Sequence, residues 1–202
     1  EEKIDFVSHH AAQIDLRHSV ADPIGDARAN VIGGLMLFEA MRRAGVSHVL
    51  FSSTGGAIYG EPEGGRPAPE SHPTNPVSPY GCAKLSIEKY MHYYRVVHGF
   101  RTQVFRYANV YGPWQDGTGE AGVVAIFSEA MLGHRPLKIN GDGEQTRDYV
   151  YVGDLVEADR AELVARCVAE TGKTIPDSLA EVGETVDLLR YYAAEAERVL
   201  AA

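Results

Sequence analysis

Seven residues, His48-Val49-Leu50-Phe51-Ser52-Ser53-Thr54, constrain this chain more than any other stretch. A short apolar run without alternation reads as a buried strand of a parallel sheet, and this one ends in three hydroxyls. In open α/β sheets, ligands bind beyond the carboxyl ends of the strands. The hydroxyls therefore stand where chemistry is expected.

Downstream, Ser78-Pro79-Tyr80-Gly81-Cys82-Ala83-Lys84 opens a long apolar-periodic segment. Ser78 is a good helix cap, and Pro79 suits the first turn, where its missing N–H costs nothing. Helical spacing puts the Tyr80 hydroxyl and the Lys84 ammonium on one face. A phenol titrates near pH ~10, and a neighbouring cation favours the phenolate, making it a usable base near neutral pH. The spacing alone does not separate such a pair from two surface residues. Ile87, Tyr90, Met91, Tyr94 and Val97 continue one side of the helix to His98, with the aromatics read as packing. Cys82 is expected to fill the core as a small residue.

The remaining elements follow from pattern and punctuation. Residues 4–12 read as a strand with His10-Ala11-Ala12-Gln13 at its end, where small residues let a planar ligand approach. A solvated His10 is the plainer reading. Asp22-Pro23 breaks the chain before a helix over Asp26–Ala44, with Val31, Leu35, Phe38 and Met41 on its apolar side and Gly45 as its stop. Gln103–Tyr107 is a strand, a helix spans about 122–132, and Asn140-Gly141-Asp142-Gly143 is a turn before a strand at Arg147–Val152. The long Pro- and Gly-rich loop between Gly55 and Pro79 has the length of a functional loop.

Five short cores, His10-Ala11-Ala12-Gln13, Phe51-Ser52-Ser53-Thr54, Tyr80 to Lys84, Arg106-Tyr107-Ala108-Asn109-Val110-Tyr111-Gly112-Pro113 and Arg147-Asp148-Tyr149-Val150, fall in one order and spacing. Together they resemble the extended short-chain dehydrogenase/reductase family, in the sugar-nucleotide branch typified by UDP-glucose 4-epimerase. The resemblance implies an α/β fold: a partial Rossmann-like, doubly wound parallel sheet with a C-terminal helical appendage. It also implies NAD as cofactor, a nucleotide sugar of the UDP-hexose kind as substrate, and C4 epimerisation through a 4-keto intermediate. By the same resemblance Thr54, Tyr80 and Lys84 are catalytic. Ala11, Ala12, Asn30, Ser52, Ser53, Tyr80, Lys84 and Tyr107 meet the cofactor, and Thr54, Asn109 and Arg147 meet the substrate. Arg147 would grip the diphosphate with its planar fork; an ion pair with Asp148 or Asp154 is the alternative. Helices 26–44 and 79–98 would form a homodimer. Gly55-Gly56 stands where the family's dehydratases carry an Asp-Glu pair, which favours an epimerase over a dehydratase, with a related dehydratase or reductase as the further alternative.

Two departures qualify the resemblance. No G-x-G-x-x-G fingerprint follows the first strand, where the dinucleotide-binding turn of such folds belongs. About two βα units are therefore expected ahead of Glu1. This leaves open a catalytically inactive fragment acting only as a dimerising or structural remnant. Beyond about residue 155 the family pattern ends. Residues 157–202 read as two helices and are similar to a helical part of the aldehyde dehydrogenase domain in bifunctional proline-utilisation proteins, without that family's catalytic cysteine or glutamate. The expected division is thus 1–155 and 156–202, the latter of different origin or a plain helical tail.

The net charge of −9, with no Lys/Arg run, argues against nucleic acid or an anionic membrane surface. No apolar stretch approaches a membrane span, and two cysteines, Cys82 and Cys167, fit a reducing, cytoplasmic setting. No metal-ligating cluster is apparent.

Overall fold

The computed structural model describes residues 4–61, 68–117, 122–139 and 141–158. The chain divides into two units, Glu1–Ala108 and Asn109–Ala202.

In the first unit, β1 (Phe6–His9), β2 (His48–Thr54) and β3 (Arg101–Tyr107) form a parallel sheet in the order β1-β2-β3. Val7 pairs with Val49, and Thr54 with Tyr107. Parallel neighbours need crossover connections, and helices supply both. Between β1 and β2 run α1 (Leu16–Ala21), α2 (Pro23–Ala27), a π-helical turn (Arg28–Ile32) and α3 (Gly33–Ala44). Between β2 and β3 runs α4 (Pro79–His98). The expected helix over 26–44 is therefore longer and irregular: it begins at Pro23, and the Gly33 N–H reaches back five residues to the Arg28 carbonyl. The expected strand at 4–12 is shorter, at Phe6–His9.

The core lies where α3 and α4 cover one face of β2. Phe38, Met41, Val49, Phe51, Ile87, Met91, Tyr94 and Phe100 are buried together, with Val31 and Leu35 packed against them. Alternation along β2 turns Val49, Phe51 and Ser53 into this core and leaves Leu50, Ser52 and Thr54 half-buried on the opposite side. Gly45 closes α3 in the left-handed region, at φ 73°, which glycine adopts without a Cβ penalty. Three side chains depart from expectation. Tyr90 and Val97 lie outside the buried stripe and are exposed. Cys82 is exposed as well, because the helix turns Gly81 and Ala83 inward instead; Cys167 lies outside the described residues.

In the second unit, β4 (Asn109–Tyr111) pairs in parallel with β5 (Tyr149–Tyr151), joined through α5 (Val123–Leu132) and followed by α6 (Val152–Ala158). The strand expected at 147–152 is confined to three residues. The expected helices beyond residue 158 fall outside the described residues. Among those described, no helix is long and apolar enough to cross a membrane.

Candidate active site

The head of α4 forms as its sequence dictates. The Ser78 hydroxyl accepts from the Gly81 N–H at 3.1 Å, and Pro79 occupies the first turn. Gly81 has a second role. A Cβ there would stand 2.5 Å from the Ala57 carbonyl oxygen, so only glycine lets this helix press against the segment leaving β2. That approach carries Tyr80 and Lys84 to the tip of the strand.

Lys84 is 4% exposed. Its Nζ donates to the Ser52 carbonyl at 2.7 Å and sits 4.8 Å from the Phe51 ring centroid and 5.7 Å from that of Tyr80. One backbone acceptor leaves two of the three ammonium protons for other partners. The Tyr80 hydroxyl has no hydrogen-bond partner among the described residues. A phenol and a buried ammonium with open hydrogen-bonding capacity thus share the end of β2, which can hold and relay a proton for a ligand hydroxyl.

The electrostatics correct one expectation. Lys84 was to favour the Tyr80 phenolate, but burial dominates at both groups. It pushes the Tyr80 phenol up, with the Asp26 carboxylate adding to the rise. It draws Lys84 down to about 8, against which Asp26 acts in the opposite sense.

An unfolded lysine keeps its proton to about 10.5, whereas folded Lys84 releases it near 8. Between these values the unfolded state binds more protons, so Lys84's contribution to stability grows as pH rises. From pH 7 to 10, wild type should gain about 2 kcal/mol relative to Lys84→Met in urea unfolding. A constant difference would show that Lys84 titrates normally.

The other predicted site residues fall into distinct places. Asn30, on the π turn, clamps the chain after β1: its Oδ1 accepts from the Gln13 N–H at 2.9 Å and its Nδ2 donates to the Gln13 carbonyl at 3.0 Å. Ala11 and Ala12 lie on the segment thus held. His10 is not merely solvated, since its Nδ1 meets the Ser52 hydroxyl at 2.6 Å. Ser53 turns to the other face, where its hydroxyl donates to Glu88. Thr54 ends β2 with no hydrogen bond to Tyr80 or Lys84 among the described residues. Tyr107 ends β3, its ring stacked on Phe105 at 5.6 Å. Asn109 and Arg147 belong to the second unit. Asn109 Nδ2 donates to the Asp148 carbonyl at 3.2 Å, and exposed Arg147 donates to the Thr146 carbonyl at 2.7 Å. No ion pair of Arg147 with Asp148 or Asp154 is present among the described residues.

Sequence reasoning passed over three groups here. Asp26 is 0% exposed, and its Oδ1 accepts from Asn30 at 3.1 Å and Gln13 at 3.2 Å. Glu88 and Arg106 form a half-buried pair behind Ser53, at 2.7 Å. Helical spacing carried the signal in two cases, since Asp26 lies four residues before Asn30 and Glu88 four after Lys84.

Residues 1–166 match the NAD dependent epimerase/dehydratase family. The chain belongs to this family. Among its relatives, the UDP-glucose 4-epimerase of Mycolicibacterium smegmatis is 50% identical over 78% of this chain and 50% of its own length. The UDP-glucose 4-epimerase of Thermotoga maritima, solved with UDP-glucose, superposes with a TM-score of 0.72 at 52% identity, over 80% of this chain and 51% of that one. The Thermus thermophilus UDP-glucose 4-epimerase, solved with NAD, gives a TM-score of 0.71 at 43% identity, over 91% of this chain and 62% of that one. The parallel sheet with crossover helices is thus a Rossmann-like α/β arrangement shared with these epimerases. This epimerase/dehydratase family chain spans about half the length of the curated relatives it matches.

Proposed function

We propose that this chain serves NAD-dependent epimerisation at C4 of a nucleotide-linked hexose of the UDP-glucose kind. The observation that carries the reading is the buried Lys84 ammonium beside the Tyr80 ring at the tip of β2, with the Tyr80 hydroxyl left for a ligand. Relatives named as UDP-glucose 4-epimerases, one solved with UDP-glucose and one with NAD, support the substrate and the cofactor.

The residues present suit the nicotinamide end of NAD. Lys84 has N–H groups to spare, Asn30 holds the strand end where Ala11 and Ala12 permit close approach, and Ser52 and Tyr107 lie at neighbouring strand tips. When bound, NAD supplies the acceptor and donor of the C4 hydride. Burial favours the protonated Tyr80 phenol, and the positive charge that NAD⁺ would add beside Lys84 favours the phenolate. As phenolate, Tyr80 takes the proton of the sugar hydroxyl and returns it, while Lys84 orients and charges the site and Thr54 aligns the sugar. By the family resemblance, Asn109 hydrogen-bonds the sugar nucleotide and Arg147 grips its diphosphate. Gly55-Gly56, in place of an acid–base pair, supports isomerisation over water elimination.

Exposed apolar residues on the same two helices, Ile32 and Met36 in one and Tyr90, Tyr93, Val96 and Val97 in the other, support a homodimer through 26–44 and 79–98. The similarity of residues 157–202 to part of an aldehyde dehydrogenase domain supports a separate origin for the segment that follows the family match at residue 166, and the protein works in the cytoplasm.

The second reading is a non-catalytic fragment, favoured by the lack of a Gly-rich turn after the first strand. In such folds the cofactor's pyrophosphate rests on the helix N-terminus that this turn opens. The two separate experimentally. Incubation of this chain with NAD⁺ and UDP-glucose should yield UDP-galactose, and calorimetry should show both ligands binding. No heat at millimolar ligand, with no product, would establish the fragment reading.

A further inference from the structure

We propose that Asp26 is a positioning residue of this site, its buried carboxylate tying Asn30 and Gln13 to the tip of β1 and standing as the counter-charge of Lys84. The proposal rests on the epimerase reading for its functional meaning, and its geometry stands independently.

A carboxylate without exposed surface is rare unless paired, because desolvation of the charge is costly. Asp26 is only half satisfied. Oδ1 accepts from Asn30 Nδ2 and Gln13 Nε2, while Oδ2 is buried with no partner among the described residues. An unpaired buried oxygen calls for an explanation. Here α2 packs on α4, and α4 carries Lys84, a buried cation whose one hydrogen bond among the described residues goes to a neutral carbonyl.

The groups facing Lys84 are few. From β1 comes His9, whose own basicity burial and Lys84 both lower; His10 follows it, bonded to Ser52. From α4 come Tyr80 and Glu88, and Glu88 is taken by Arg106 and Ser53. Asp26 is the carboxylate whose field acts on both Lys84 and Tyr80. The same carboxylate fixes the amide of Asn30, which brackets the Gln13 peptide from both sides. One side chain thus joins the strand tip to the proton-handling pair.

Asp26→Asn separates charge from shape, since an amide oxygen can still accept from Asn30 and Gln13. Carbon-13 labelled lysine and tyrosine, assigned through Lys84→Met and Tyr80→Phe, report both titrations by NMR without any turnover. In Asp26→Asn, Lys84 should titrate at least roughly half a pH unit below wild type, and Tyr80 should fall too. Loss of local structure gives a different signature, with tyrosine falling but lysine rising toward its free value. Asp26→Glu should restore both titrations. An unmoved or raised Lys84 titration would overturn the proposal. If Asp26→Asn folds poorly, adding Lys84→Met should return the urea midpoint toward wild type, because the stranded cation is gone; additive losses would overturn the proposal. Should the chain prove inactive, the titrations still decide the role of Asp26.

Discussion

Tyr80→Phe should lower C4 interconversion by about 10²–10⁴-fold, the range a positioned acid–base group supplies. The expected selectivity of this change comes from what the hydroxyl does not do. It has no hydrogen-bond partner among the described residues, so removing it breaks no bond that holds the fold. The ring that remains still lies 5.7 Å from Lys84 Nζ and keeps its packing at the head of α4. Thermal midpoint and calorimetric binding of NAD⁺ and UDP-glucose should therefore stay near wild type while turnover collapses. Turnover within a few-fold of wild type would remove Tyr80 from the chemistry and with it the proposed reaction.

Glu88→Ala should have the largest effect on stability, about 3 kcal/mol. Arg106 grips this carboxylate through Nε at 3.2 Å and Nη2 at 2.7 Å, and Ser53 donates to it from β2. The guanidinium also donates through Nη1 to the Tyr59 hydroxyl at 2.8 Å and the Glu70 carbonyl at 3.1 Å, tying the long loop to the sheet. The side chains are 26% and 9% exposed, so truncating Glu88 strands a largely enclosed cation. The partial access of water to Arg106 keeps the expected cost at the lower end of the range for breaking buried pairs. Glu88→Gln, which retains an acceptor for Ser53 and Arg106, should lose less, and adding Arg106→Met to Glu88→Ala should recover much of the loss. A urea midpoint unchanged in Glu88→Ala would mean that water already satisfies Arg106.

The backbone of the site was legible because its determinants are local. Ser78, Pro79 and Gly45 punctuate helices by the chemistry of unsatisfied N–H and C=O groups. The apolar run of β2 and the spacing of Phe38, Met41, Ile87 and Met91 mark the faces that become buried. The charged partners were not legible for the opposite reason. Asp26, Glu88 and Arg106 occupy positions where a sequence normally places solvated residues, and only the fold shows that each is enclosed. Cys82 misled in the reverse direction, since its size suits a core while the helix phase turns it outward. The direction of the Tyr80 and Lys84 titrations was hidden as well. Spacing reports that two groups are neighbours, but the degree of dehydration that dominates their energetics is a property of the assembled unit.

The π-helical turn at Arg28–Ile32 sets the azimuth of everything ahead of it. Each residue of a regular helix advances the face by about 100°, so the looser coil acts like one residue spliced between α2 and α3. Deleting a single position from it would let an unbroken α-helix form with all its backbone bonds intact. With Val31 or Ile32 removed, Asp26 and Asn30 would swing together by about 100° relative to α3, and the acid would leave its place beside Gln13. The chain thus keeps a wider, less common coil at the one place where a tighter one would misaim a buried charge.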